Sequence, residues 1–215
     1  MKTNLRAIFF DLDGTLVDTE PLKFIAHRAA LESRGGSLDG GAYAKVIGQS
    51  HDRVREHFLT LNRIEMTDDE YDRCWENSYV SQVRVSTEAY PDAVEFLNKT
   101  KDKGLKCVLV TSSDKVSMQT VLEKTGLQLH FDITICADDV LNCKPSPEPY
   151  ERALKILGLV PHEAMVIEDS PTGYESAIAA KIPVLIHRHR ANKDNVFPLA
   201  TQEFNNYSEI QHFLP

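Results

Sequence analysis

Short, nearly unbroken apolar runs recur along the chain and predict buried strands. Such runs are typical of parallel strands that helices cover on both faces. The predicted strands are 7–10, 107–110, 164–167 and 184–186, with a weaker fifth at 133–136. Helical patterns with recognisable ends lie between them at 91–103, 114–125 and 148–157. This alternation predicts an α/β fold with a doubly wound, Rossmann-like parallel sheet.

One stretch, from residue 19 to about residue 85, breaks the alternation because it carries helical spacing and no convincing strand pattern. Helices are predicted at 21–33 and 50–62, with Ser50 as N-cap of the second. A third begins at the capping box Thr67–Glu70 and continues through Tyr79. We therefore expect a catalytic core of residues 1–18 and 86–215, interrupted by an α-helical cap domain of residues 19–85.

The charge and amino-acid composition of the chain argue against several classes of function. The formal net charge of −8 disfavours binding to nucleic acid or to an anionic membrane, both of which require a basic face. The four cysteines form no CxxC pair, which favours reduced thiols over disulfides or zinc. The N-terminal segment has no signal-peptide pattern and no run reaches transmembrane length. We expect a cytoplasmic monomer that acts on a small molecule.

Two carboxylates, Asp11 and Asp13, directly follow the first predicted strand. On extended backbone, residues two apart project to the same side. One carboxylate beside a cation can attack phosphorus, and the second can carry the proton of the leaving group. An exposed acidic turn or a calcium loop is the alternative, but Leu16 and Val17 do not fit an EF-hand.

Three further polar features follow predicted strands or stand near them. Thr111 and Ser112 precede a helix and could form an anion site, although they could equally act as its N-cap. Lys144 lies in a proline-rich loop where it could offset phosphate charge; most isolated lysines are solvated. Glu168 and Asp169 suit a hard cation, or a helix start. Their joint placement at strand ends, where open α/β sheets bind ligands, favours one site.

These motifs together resemble those of the haloacid dehalogenase superfamily of aspartate-nucleophile phosphohydrolases. Residues 10–19 are similar to its first motif, Thr111 to its second, Lys144 to its third, and Glu168 with Asp169 to its fourth. The resemblance covers essentially the whole chain. The helical insertion after the first motif is similar to that of the subgroup with a helical cap, which includes β-phosphoglucomutase and many sugar-phosphate phosphatases.

The resemblance implies roles for the catalytic residues. Asp11 would attack phosphorus and form an aspartyl-phosphate, and Asp13 would protonate the leaving oxygen and later activate water. Thr111, Ser112 and Lys144 would bind the transferring phosphoryl group, whose charge must be neutralised from several sides.

The resemblance also implies a magnesium cofactor. Mg²⁺ would be bound by Asp11, by the backbone carbonyl of Asp13 and by Asp169, with Glu168 as a ligand or just behind the ligands. Three departures from the family pattern, Cys143 before the lysine, Asp92 after Pro91, and Lys181 where the family usually has glycine, leave these positions untouched.

The cap is expected to select the substrate, with Lys23, Gln49 and His51 as candidate contacts. Lys23 stands where β-phosphoglucomutase-like proteins carry a histidine, and His51 stands where a phosphate-binding arginine is expected. We therefore predict a Mg²⁺-dependent phosphatase for a small phosphomonoester such as a sugar or polyol phosphate. The alternatives are a phosphosugar mutase and, from a different class, a phospho-accepting signalling or binding module without turnover.

Two groups of residues are interpreted without a function. The basic cluster His187–Arg190 is interpreted as a solvated loop. Tyr71, Trp75 and Tyr79 are interpreted as a helix-packing stripe rather than a platform for stacking a sugar.

Overall fold

The computed structural model describes residues 4–46, 49 and 51–215. Strands and helices alternate through most of these residues. The strands are β1 (Ala7–Phe10), β2 (Lys106–Val110), β3 (Ile133–Ile135), β4 (Ala164–Glu168), β5 (Val184–His187) and β6 (Gln202–Phe204). The helices are α1 (Glu20–Glu32), α2 (Gly40–Ala44), α3 (His51–Asn62), α4 (Asp68–Ser86), α5 (Pro91–Asp102), α6 (Lys115–Thr125), α7 (Glu148–Leu157) and α8 (Pro171–Ala179).

The strands form one parallel sheet in the order β3-β2-β1-β4-β5-β6. The chain proceeds outward from β1 to one edge through β2 and β3, and then returns to β4 on the other side of β1. The point where the order reverses lies between β1 and β4, where a crevice for ligands opens in sheets of this kind. The predicted α/β, doubly wound fold is confirmed.

The central strand β1 is buried on both faces, as its unbroken apolar sequence predicts. Ile8 and Phe10 belong to a core that helices α5 and α6 cover, while Ala7 and Phe9 belong to the core under α7 and α8. Since β1 pairs with β2 and β4 in register, its last residue Phe10 lies beside Leu109 and Ile167. The residues that follow these three strands therefore emerge at one edge of the sheet.

Helices α1 to α4 separate β1 from α5 and bury an apolar cluster of their own, which includes Phe58 and Tyr71. Helix α4 begins with the predicted capping box, in which Thr67 and Glu70 bond each other's backbone N–H groups. The predicted N-cap Ser50 lies outside the described residues. The inserted helical module is thus present, and its limits at residues 19 and 85 stay a prediction. No helix among the described residues is long and apolar enough to cross a membrane.

Two short elements escaped prediction from the sequence. Helix α2 begins with two glycines, which disfavour helix, and it forms because the Asp39 side chain accepts the backbone N–H groups of Gly41 and Ala42. Strand β6 has three residues with no apolar run, and it adds to the sheet edge by pairing with β5. Helix α2 thus depends on one side-chain cap, and strand β6 depends on one neighbouring strand.

Lys181, which stands where the family usually has glycine, adopts a left-handed backbone conformation with φ of +61° just after α8. Its backbone N–H donates to the carbonyl of Ile178 and closes the end of the helix. A side chain with a Cβ is strained in this conformation.

We predict that Lys181→Gly stabilises the protein by about 0.5–1 kcal/mol, because relief of the left-handed strain exceeds the extra entropy of glycine in the unfolded chain. Urea unfolding followed by circular dichroism measures the change. The matched control is Lys155→Gly, an exposed lysine inside α7, which should lose about 1 kcal/mol. Destabilisation by both substitutions would contradict the prediction.

Candidate active site

A cavity of about 500 Å³ opens at the carboxyl edge of the sheet, between the strand ends and the inserted helices. The predicted site residues that line it come from both sides: Asp11, Asp13, Lys23, Gln49, His51, Thr111, Ser112, Lys144 and Asp169. Glu168 is fully buried behind them. The structure therefore brings the four predicted motifs together, although they are far apart in sequence.

Lys144 connects two of these motifs. Its side chain is 2% exposed, and its ammonium group lies 2.8 Å from Asp11 Oδ1, 2.6 Å from Glu168 Oε1 and 2.8 Å from the carbonyl oxygen of Val110. The face of the Tyr150 ring lies 5.1 Å from the same nitrogen. All three N–H donors of the ammonium are thus engaged with protein acceptors. Its visible role is to position and neutralise Asp11, and its predicted contact with phosphate stays a prediction.

Lys144 does not fully neutralise the Asp11 carboxylate. Burial raises its pKa well above the usual value, Glu168 and Asp169 raise it further, and Lys144 only partly offsets them. Burial also raises the pKa of Asp169, against the opposing effect of its hydrogen bond with His189. A cation at this point would relieve the repulsion.

Glu168 is saturated by hydrogen bonds from the protein. Its Oε1 accepts from Lys144 and from the Tyr150 hydroxyl at 3.0 Å, while Oε2 accepts from the backbone N–H groups of Asp169 and Ser170 and from the Ser170 hydroxyl. These contacts favour a position behind the metal ligands over direct coordination.

The acidic residues fit a divalent cation. One oxygen from each of Asp11, Glu168 and Asp169 lies within 4.8 Å of the others, so Asp11 and Asp169 can supply ligands while the saturated Glu168 lies behind them. Buried carboxylate oxygens are the ligands that Mg²⁺ prefers. Gly14 permits their approach, because it has φ of +80° and a Cβ there would lie 2.2 Å from Asp169 Oδ2. The residues present therefore suit the predicted magnesium ion, with the Asp13 backbone carbonyl as a further candidate ligand.

The Asp13 side chain lies on the cavity side of this cluster and is held from two directions. Thr19 and Tyr79 donate hydroxyl hydrogen bonds to Oδ1 at 2.6 and 3.1 Å, and Ser113 donates to Oδ2 at 2.7 Å. The Lys23 ammonium lies 3.9 Å from Oδ1. Burial favours the neutral acid, but Lys23 and the three hydroxyl groups outweigh it and lower the pKa of Asp13.

Thr111 and Ser112 do not cap α6. The N-cap is Asp114, whose side chain accepts the backbone N–H of Ser117 at 2.8 Å. Thr111 is buried and accepts from the backbone N–H of Ser113, whereas Ser112 is exposed at the cavity. The helix-cap alternative is therefore wrong, and phosphate binding stays a prediction for both residues.

The predicted cap contacts occupy different positions. Lys23 bridges Asp13 and Glu20, with 3.1 Å to the Glu20 carboxylate. His51 directs Nε2 toward Asp72 at 2.8 Å, and Gln49 is exposed at the cavity. All three line the cavity.

The interpretation of His187–Arg190 as a solvated loop is wrong for its two histidines. His187 is buried at the end of β5, where its Nδ1 lies 2.9 Å from the carbonyl oxygen of Gly14. His189 places Nε2 2.8 Å from Asp169 Oδ2. The signal in the sequence was that these histidines are two residues apart at the end of a strand. It was outweighed because runs of basic residues are common on protein surfaces.

Tyr79 was also missed as a site residue. Tyr79 was assigned to helix packing, which is correct for its ring, since it stacks on Trp75 at 4.8 Å. Its hydroxyl nevertheless reaches Asp13, and Trp75 lines the cavity. An aromatic residue on an inserted helix carries no sequence signal for such a contact.

Comparison with known proteins agrees with this geometry. The haloacid dehalogenase-like hydrolase family matches residues 8–187. A phosphorylated carbohydrates phosphatase from Thermotoga maritima is 33% identical over 83% of this chain and 82% of its own. A phosphoglycolate phosphatase from Neisseria gonorrhoeae is 29% identical over 82% of this chain and 77% of its own.

Solved structures share the fold. CbbY from Rhodobacter sphaeroides, in complex with phosphate, superposes with a TM-score of 0.84 at 21% identity and 96% coverage of both chains. The β-phosphoglucomutase of Clostridium difficile does so with a TM-score of 0.79 at 23% identity, over 96% of this chain and 93% of its own. The profile match and the phosphatase relatives confirm the predicted superfamily and enzyme class: the chain belongs to the haloacid dehalogenase-like hydrolases.

Proposed function

We propose that the protein is a Mg²⁺-dependent phosphatase that hydrolyses a small phosphomonoester, of the sugar or polyol class, through an aspartyl-phosphate on Asp11. The arrangement around Asp11 is the main support. Its Oδ1 is fixed by Lys144, while no donor in the described part of the chain contacts Oδ2, and the residue lines the cavity. One carboxylate oxygen is therefore oriented and the other is available to attack phosphorus.

In the proposed reaction, Asp13 transfers a proton in each of two steps. Asp11 forms a bond to phosphorus, the ester P–O bond breaks, and Asp13 gives a proton to the leaving oxygen. Water then attacks the aspartyl-phosphate, passes a proton to Asp13 and releases inorganic phosphate. An anionic ester beside Asp13 would raise the pKa of Asp13 and so oppose the lowering of that pKa by Lys23. Bound Mg²⁺ would supply positive charge to the phosphoryl oxygens.

The insertion of helices between β1 and α5 supports separate roles for two parts of the protein. We propose that residues 1–18 and 86–215 perform the chemistry and that residues 19–85 act as the cap that selects the substrate. Asp13 contacts both parts, through Ser113 of the core and Tyr79 of α4. The phosphatase relative that acts on phosphorylated carbohydrates supports a sugar or polyol substrate.

A mutase is the less favoured alternative. It must grip a second phosphate with the cap, but Lys23 is engaged with Glu20 and Asp13, and His51 with Asp72. Lys23 and His51 are therefore both engaged with carboxylates rather than available to bind a second phosphate.

The nucleophile is supported from behind by Glu168, whose position depends on Gly173. This glycine lies in the first turn of α8, where an added Cβ would lie 1.7 Å from Glu168 Oε1. Since Glu168 holds Lys144 and Lys144 holds Asp11, a side chain at position 173 disturbs the nucleophile through two contacts.

The function is tested by Asp11→Asn. An amide is a poor nucleophile toward phosphorus, so phosphate release from a panel of phosphomonoesters should fall by at least about 10³-fold with the fold intact. Asp194→Asn, an exposed carboxylate outside the cavity, is the matched control and should keep full activity. Near-normal turnover in Asp11→Asn would refute the assignment.

Gly173→Ala is predicted to lower the free energy of unfolding by about 1–3 kcal/mol and to reduce kcat, because overpacking displaces Glu168. Thermal melts and steady-state kinetics measure the two effects. Gly40→Ala serves as control, since an added Cβ there has no heavy atom within 4 Å, and its stability should change by less than about 0.5 kcal/mol. An unaltered kcat in Gly173→Ala would show that Glu168 does not position the nucleophile.

Removal of divalent cations should abolish phosphate release, because the clustered carboxylates need a cation to bind an anionic ester. Addition of Mg²⁺ should restore activity, and Ca²⁺ should restore it poorly, since its longer and looser coordination misplaces the reacting oxygens. The measurement is phosphate release after exhaustive chelation and readdition. Full activity of the metal-free protein would exclude the proposed cofactor.

A further inference from the structure

The helices of the cap form one wall of the cavity that contains Asp11, and this wall is rich in acidic residues. Glu20, Asp52, Asp72 and Glu76 all line it. A substrate's phosphate is bound near Asp11, so its leaving group must extend toward this wall. The charge of the wall therefore bears on which leaving groups the enzyme accepts.

Lys23 and His51, the basic cap residues that line the described part of the cavity, are engaged with carboxylates, and so is Arg55, which shares Asp72 with His51. Arg55 pairs with Asp72 at 2.6 Å and with Asp52 and Asp68 at 3.0 Å, and its side chain is 10% exposed. One guanidinium thus faces three carboxylates, and a negative excess remains. Lys23 is similarly held between Glu20 and Asp13.

Glu76 has no basic partner in the part of the chain that the structure describes. Burial raises its pKa, and the neighbouring carboxylates of Asp114 and Asp72 raise it further. Asp114, the N-cap of α6, also lines the cavity, so a carboxylate of the core adds to its negative charge. Beside Glu76, the Trp75 indole N–H is buried and has no acceptor among the described residues.

The cap residues 47, 48 and 50, which are not described, do not change the balance of charge. They are Ile47, Gly48 and Ser50, none of which is basic, and the intervening Gln49 is neutral. Among the described cap residues that line the cavity, each basic side chain has a carboxylate partner, so a second anionic group on the substrate meets no unpaired cation there. A hydroxyl group, in contrast, can donate to a carboxylate.

We propose that the cap wall excludes phosphomonoesters whose leaving group carries a second anionic group, and that it accepts neutral hydroxylated or amine-bearing alcohols. The inference rests on the proposed phosphatase function and names its substrate class. It separates this enzyme from relatives named for phosphoglycolate, whose leaving alcohol, glycolate, carries a carboxylate. The physical basis is repulsion between like charges a few ångströms apart in a partly desolvated cleft.

Three two-carbon esters of nearly equal size test the inference: 2-hydroxyethyl phosphate, phosphoethanolamine and phosphoglycolate. Each is assayed as a substrate and as a competitor of p-nitrophenyl phosphate hydrolysis, so a bound but slowly hydrolysed ester still gives an order of affinity. We expect phosphoglycolate to be at least about tenfold poorer than 2-hydroxyethyl phosphate in both measurements, and phosphoethanolamine to be at least equal to 2-hydroxyethyl phosphate. Equal values for all three, or a preference for phosphoglycolate, would overturn the inference.

A charge-neutral variant assigns the effect to the wall. Glu76→Gln should shift the ratio of phosphoglycolate to 2-hydroxyethyl phosphate by about three- to tenfold toward phosphoglycolate. Asp69→Asn removes the same charge from an exposed position of α4 outside the cavity and should leave the ratio unchanged. An equal shift in both variants, or none in Glu76→Gln, contradicts the role of Glu76. Failure to hydrolyse p-nitrophenyl phosphate with Mg²⁺ would instead refute the proposed function.

Discussion

The buried ammonium group of Lys144 is the contact on which the site depends. It lies between Asp11 and Glu168 and also donates to a carbonyl oxygen at the end of β2. Without it, two buried carboxylates would face each other unpaired, and loss of one member of a buried ion pair costs about 3–5 kcal/mol. The hydrogen bonds that saturate Glu168 make the geometry rigid. The strand ends of β1, β2 and β4 are thereby joined through side chains as well as through the sheet.

Local sequence patterns were sufficient for the fold and for the floor of the site. Parallel strands place their carboxyl ends at one edge, so a motif after each buried apolar run can be located without knowing the rest of the structure. Asp11, Thr111 and Asp169 lie in the cavity for this reason. The same argument failed for β6 and α2, because a three-residue strand with one apolar residue and a helix that begins with a pair of glycines give no periodic signal.

The contacts that complete the site could not be predicted, because they join residues that are distant in sequence and ordinary in type. Tyr79 reaches Asp13 across 66 positions, and His189 reaches Asp169 across 20. Both side chains have plausible packing or surface roles when only their neighbours are considered. The charge of the cavity wall was equally hidden, since it depends on which carboxylates Arg55 neutralises.

The hydrogen bonds that hold the Asp13 side chain link the completion of the site to the position of the inserted helices. Its hydroxyl partners come from opposite walls of the cavity, Tyr79 from the inserted helices and Ser113 from the core. Movement of the inserted helices away from the core would remove Tyr79 and Lys23 together, and Asp13 would lose two of the four contacts that lower its pKa. The contacts of Asp13 are therefore complete only when both walls meet. In the proposed mechanism, enclosure of the substrate and assembly of the proton-transfer group would be a single event, and a ligand too bulky to be enclosed would leave the enzyme idle.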